Sequence, residues 1–187
     1  MKTKLGSQNV LYPSLTVLVG AMVRGRPNFI TIAHVGILTH SHISLGMNKV
    51  HYTNLGIKEH ETFSVNIPSE KLVKETDYVG LVTGEKVDKS QLFDLFYGEL
   101  KTAPMIKECP LNMECRLERI VDFPSHDVFV GEVVGTYSDD SVLTDGKVDV
   151  SKVRPLLFDM PLKKYRSLGE PVADCWNTGK ELKKKKL

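Results

Sequence analysis

Hydrophobic and polar positions divide the first half of the chain into short strands separated by turn residues. Leu15 to Val23 is an apolar run, Arg24-Gly25-Arg26-Pro27 has turn chemistry, and Asn28 to Val35 is rich in Ile, Thr and Phe, which predicts a hairpin. Gly36 interrupts the pattern, a shorter run reaches Leu38, and alternation resumes from Ile43 to Met47 after the polar Thr39-His40-Ser41-His42. Thr53 or Asn54 is placed to cap one or two helical turns over Gly56 to Glu59. Glu61 to Ile67 alternates again and stops at Pro68, as an edge or terminal strand does. Ser69 then reads as an N-cap, with Leu72 and Val73 facing inward on a helix that runs to Thr76. Residues 77–92 carry two glycines and five charges and read as a surface loop with some helix.

The second half is again strand-like. Asn112 to Asp122 alternates through Met113, Cys115 and Leu117, Phe123-Pro124-Ser125 closes it, and His126 to Tyr137 is the strongest strand signal in the chain. These two predict a second hairpin, with Gly131 marking a bulge or the close approach of another backbone. Prolines at 155, 161 and 171 break the pattern beyond Ser151, so 151–180 reads as a C-terminal extension and 181–187 as a basic, solvated, disordered tail. No internal repeat is visible. Many short strands with few and short helices predict a mainly β protein, a small antiparallel barrel rather than a doubly wound sheet.

Size and charge narrow the function classes. With 187 residues, 41% of them hydrophobic, the chain is long enough for one sizeable core, and 1–187 is expected to form a single domain. A net charge of +2, from 25 basic and 23 acidic residues, points to no polyanion partner, and 7% aromatics with a terminal basic run do not make a nucleic-acid groove. No apolar run approaches the roughly 20 residues of a membrane helix, and MKTKLGSQ at the N-terminus lacks the apolar stretch of a secretion signal. The expectation is a soluble, cytoplasmic protein with no membrane partner.

Candidate chemistry is sparse. Cys109, Cys115 and Cys175 match neither a zinc ribbon nor a Cys-x-x-Cys pair and are expected to be buried thiols. His40 and His42 share a strand face, but a metal needs a third ligand that the sequence does not nominate. No G-x-G-x-x-G follows a strand, no P-loop occurs, and Gly84 to Ser90 lacks the second glycine. No nucleophile elbow or acid–base carboxylate pair is present. One stretch stands out: Asn48, Lys49, His51, Thr53 and Asn54 crowd donors onto the end of a strand. That is either an ordinary solvated strand end or an anion site, in which a cation and several neutral donors hold a phosphate.

Six segments, in order, carry a resemblance: NFITIAH at 28–34, MNKVHYTN at 47–54, FSVNIPS at 63–69, DYVGLVTGEKVDKS at 77–90, APMIKECPLNMECRL at 103–117 and SHDVFVGEVV at 125–134. Together they resemble the flavin reductase-like, FMN-binding split-barrel family, and within it the flavoredoxin branch. The resemblance implies a split β-barrel that forms a homodimer, with one FMN per subunit near the dimer interface. It implies that Asn28, Thr31, Ile32 and Ala33 meet the flavin, that Met47, Asn48, Lys49, His51 and Thr53 hold the ribityl phosphate, and that Asn66 and Lys89 complete the site. His126 resembles the histidine near the flavin face, in a catalytic role. NADH or NADPH is the implied electron donor, passing electrons through FMN to an acceptor; in the second reading a partner redox protein reduces the FMN. A Pro-Pro pair common in the family is replaced by Thr39-His40-Ser41-His42, which opens a role for His40 or His42, and Trp176 is expected to cover a flavin or to pack a dimer.

Overall fold

Arg24 and Gly25 both take positive φ, 51° and 75°, and fold Val17–Val23 (β1) directly onto Arg26–Ile32 (β2). A two-residue turn with both φ values positive matches the twist of the strands it joins, so the hairpin is tighter than the four turn residues suggest. Pro27 therefore lies within β2, which is tolerated because β2 is an edge strand. The computed structural model describes residues 1–184. Its main sheet is antiparallel and adds Val35–Ile37 (β3), His42–Asn48 (β4), Thr62–Ile67 (β5), Leu111–Asp122 (β6) and His126–Ser138 (β7), in the order β2-β1-β5-β6-β7-β4-β3.

β2 and β3 occupy opposite edges of this sheet, yet only Ala33 and His34 separate them in sequence. The sheet must curl until its edges meet, and the His34 carbonyl, accepting a 2.7 Å hydrogen bond from the Gly46 amide, carries the β3–β4 ladder one residue into the seam. The result is the expected split barrel. Alternate residues point inward, Val17, Val19 and Ala21 from β1 meeting Ile43, Leu45 and Met47 from β4. On the outer side Leu18 and Phe29 pack with Val79, Phe93, Ile106 and Cys109. Gly131 marks the bulge, since the β6–β7 register shifts there; what a Cβ would meet first is not a backbone but the Phe63 ring, at 2.4 Å.

The helices differ from expectation. Thr53–His60 (α1) begins after Tyr52, and Thr53 and Asn54 are buried in its first turn rather than capping it. Glu70–Leu72 is a 3-10 turn that leads into Val73–Leu81 (α2), so the helix reaches further into the expected loop. The fully buried positions of α2 are Thr76 and Val79, three residues apart; Leu72 faces inward as expected, partly buried against the outer core, Val73 is only half-buried, and contact of Val79 with the outer core holds the extra turn. The Ser69 side chain makes no cap bond.

Past Pro155 the chain returns to structure. Leu157–Asp159 pairs with both Ser14–Leu15 and Lys164–Arg166 in a small separate sheet. Lys180–Lys184 is helical, and residues 185–187 of the expected basic tail lie outside the described residues. Cys109 and Cys115 are buried, and burial pushes both thiols up, Cys115 to about 12, so neither supplies a thiolate. Cys175 departs from expectation in being exposed. Among the described residues no helix is long and apolar enough to cross a membrane.

Candidate functional site

Three strand ends meet at one end of the barrel. β7 starts at His126, which pairs with Asn48 at the end of β4, and the Lys49 amide donates to the Ser125 carbonyl. The seam residues Ala33 and His34 arrive beside them. Outside this rim stands α2, tied to β2 where the Thr31 hydroxyl donates to the Thr76 carbonyl. Between rim and helix lies a cleft of about 390 Å³, lined on the barrel side by Thr31, Ile32, Ala33, His34, Asn48, His51 and His126. Its opposite wall is α2, with Asp77, Gly80 and Leu81, and the C-terminal sheet, with Phe158, Met160 and Tyr165.

A second cleft of about 240 Å³ continues the first and shares His51, Gly80 and Leu81 with it. It is polar. The Asn28 amide donates at 2.7 Å to the Thr53 hydroxyl oxygen, which leaves the Thr53 hydrogen free to donate elsewhere. Gly84 closes over this pair: a Cβ there would lie 1.8 Å from the Asn28 Oδ1. Lys89, only 2% exposed, donates at 2.7 Å to the Val79 carbonyl near the end of α2. Burial pulls its ammonium down to about 8. His51 is lowered by burial first, then by the positive charge of His126 and Lys89.

Three imidazoles border the wide cleft. The rings of His34 and His126 lie 5.9 Å apart, His126 Nδ1 is 2.8 Å from the Ser125 hydroxyl, and His34 Nε2 is 3.3 Å from the Tyr12 hydroxyl. His126 thus borders the wide cleft.

Several nominated residues are elsewhere. Lys49 lines neither cleft; its ammonium hydrogen-bonds Asp122 and stands 3.9 Å from Asp127, and the Asp122 bond raises its pKa. Met47 points into the barrel core, and Ile32 also packs there while bordering the cleft. Asn66 is completely buried in a network of its own: its amide donates to Leu18 O and Ser64 Oγ, and its carbonyl accepts from the Ile106 amide and Asn112 Nδ2. Those four bonds account for its donors and its acceptor. His42 is held by Glu118 at 2.8 Å and by the Thr39 and Ser41 hydroxyls, and Trp176 is 93% exposed. Residues the sequence did not nominate complete the site: His34, Thr16, Asp77, Gly80, Phe158 and Tyr165. His34 follows the nominated Ala33 directly, a signal that was available; the others are brought together only by the fold.

The paired clefts suit a ligand with a planar body and an anionic end. A buried ammonium whose only partner among the described residues is a carbonyl lacks a counter-charge there, and a phosphate would supply it. His51 Nδ1 is buried without a hydrogen-bond partner at the junction of the clefts, and the Thr53 hydroxyl has a hydrogen to give. These residues fit a flavin mononucleotide.

Residues 10–168 match the family described as flavin reductase like domain. The chain is similar to the crystal structure of a flavoredoxin from Methanosarcina acetivorans, 46% identical over 97% of this chain and 99% of that one, with a TM-score of 0.94. It is also similar to a flavoredoxin of Desulfovibrio vulgaris (Miyazaki F), 34% identical over 96% and 100% of the two chains, with a TM-score of 0.89. An uncharacterized protein of Archaeoglobus fulgidus is 36% identical over 145 residues, 75% of this chain and 81% of that protein.

Proposed function

This chain belongs to the flavin reductase like domain family, and we propose that within it the protein is an FMN-binding oxidoreductase that takes electrons from NADH or NADPH and passes them to an acceptor. Flavin binding and redox chemistry follow from the family; FMN, the nicotinamide donor and the residue roles are our reading. Bound FMN supplies the electron-carrying ring, which the protein positions and tunes.

Lys89, His51 and Thr53 donate to the phosphate in the narrow cleft, and Asn28 fixes the Thr53 hydroxyl for that purpose. Thr31, Ile32, Ala33 and Asn48 border the ring in the wide cleft. His126, steadied by Ser125, offers a donor that stabilises negative charge on the reduced ring. The observation that carries this reading is the continuity of the two clefts, one wide enough for a ring and the other holding an ammonium without a counter-charge. Mixing FMN-loaded protein with NADH or NADPH tests it: bleaching of the flavin absorbance supports direct reduction, and a flavin that stays oxidised with both nucleotides removes the nicotinamide step.

The similarity to two flavoredoxins favours a second reading, an FMN electron carrier reduced by a partner redox protein. Reduction by ferredoxin but not by nucleotides selects it. In either case we propose a homodimer, in which the exposed apolar side chains of Leu38, Val121 and Phe123, around a groove on the outer face of β4, β6 and β7, are covered by a second copy.

A further inference from the structure

We propose that the wall of the wide cleft opposite the barrel rim is a second binding site, built for a neutral, planar carbonyl compound of the quinone class. The inference rests on the FMN reading above, since it assigns the rim side of the cleft to the flavin ring.

The wall is aromatic and ordered. Phe158 stands between two tyrosines, with ring centroids 6.2 Å from Tyr12 and 6.1 Å from Tyr165. The Tyr165 hydroxyl donates at 3.0 Å to Asp77 on α2, which fixes the C-terminal sheet against the helix. Burial first, and then Asp77, push that phenol up to about 12, so the wall presents a neutral tyrosine. Flat apolar faces of this kind hold flat apolar ligands.

Thr16 supplies the polar element. It lies one residue beyond the Val17–Ile32 pair, where β1 meets the C-terminal segment, and its amide donates to the Leu156 carbonyl. Its side chain borders the cleft, is 1% exposed, and carries a hydroxyl with no hydrogen-bond partner. A buried hydroxyl without an acceptor is costly unless a ligand oxygen satisfies it. The ligand is therefore expected to bring a carbonyl to Thr16 and a ring to Phe158. Among the described residues no lysine or arginine lines this cleft, and Asp77 is an acidic group on this wall, which disfavours an anionic ligand there. A quinone bound here as acceptor gains two electrons and one proton from the anionic reduced flavin and a second proton from solvent, and leaves as the hydroquinone.

Equilibrium dialysis of menadione against FMN-loaded protein tests the site, with FMN content measured in parallel. The expected result is saturable binding, weakened about tenfold in Thr16→Val, recovered in Thr16→Ser and weakened in Phe158→Ala, with FMN content equal in all four proteins. Absence of saturable binding to protein that retains FMN overturns this inference and leaves the FMN reading standing, as does undiminished binding to Thr16→Val. A protein that takes up no FMN overturns both.

Discussion

The Lys89 ammonium donates to the Val79 carbonyl at 2.7 Å from a position 2% exposed, so a side chain from the loop after α2 grips the last full turn of that helix. Loss of the charge costs the site its anion partner. Lys89→Met should weaken FMN binding by about 1.5 to 3 kcal/mol, the range of a charge-assisted hydrogen bond, while Lys89→Arg retains part of the affinity. Fluorescence titration of FMN checks this.

The pH dependence has a definite sign. Burial lowers Lys89 from its ordinary 10.5 to about 8. Between those two values the unfolded chain holds a proton that the folded apoprotein has lost, so this group makes apoprotein stability rise with pH across that window and penalises folding below it. A bound phosphate favours the ammonium. FMN binding above about pH 8 should then take up a proton and weaken by up to about tenfold per pH unit, and Lys89→Met should lack that slope. Isothermal titration in buffers of different ionisation enthalpy reads the proton uptake.

Lys49 and Asn66 provide the contrast. Lys49→Ala breaks the exposed contact with Asp122 and should leave FMN affinity unchanged, because that ammonium lies outside both clefts. Asn66→Ala leaves the Ile106 amide and the Leu18 carbonyl without their buried partner, and should lower stability by about 2 to 4 kcal/mol, while the folded fraction still binds FMN. Urea unfolding combined with FMN titration separates the two effects.

Gly84 is a steric test of the narrow cleft. A Cβ at this position meets Asn28 Oδ1 at 1.8 Å, so Gly84→Ala must displace either the loop or the amide that orients Thr53. A stability loss of about 1 to 3 kcal/mol, together with weaker FMN binding, is the expected outcome in thermal melts with and without FMN.

Much of this was legible in the sequence because its cues are local. The Arg24-Gly25 turn, the alternation of β4, and the long hairpin around Phe123-Pro124-Ser125 are each specified by neighbouring residues, and the structure follows them. β5, expected to be an edge or terminal strand, instead pairs with β1 and β6 and is buried on both faces, because its partners come from distant parts of the chain. The cleft was only half legible. Asn48, His51 and Thr53 stand close together in the chain, so their donors could be seen as a group, but Lys49 in the same stretch is drawn to Asp122, 73 positions away. Asn66 looked like a site residue at the end of a strand; its partners are Ile106 and Asn112, which only folding brings near. The Thr16, Phe158 and Tyr165 wall joins the two ends of the chain, and no local pattern announces such a contact.

The most direct test is a crystal structure of the protein grown with FMN. The ring should lie against Thr31 to Ala33 and the phosphate within hydrogen-bond reach of Lys89 Nζ, with Lys49 still on Asp122. A phosphate bound at Lys49, or a flavin outside the paired clefts, would overturn the proposed site.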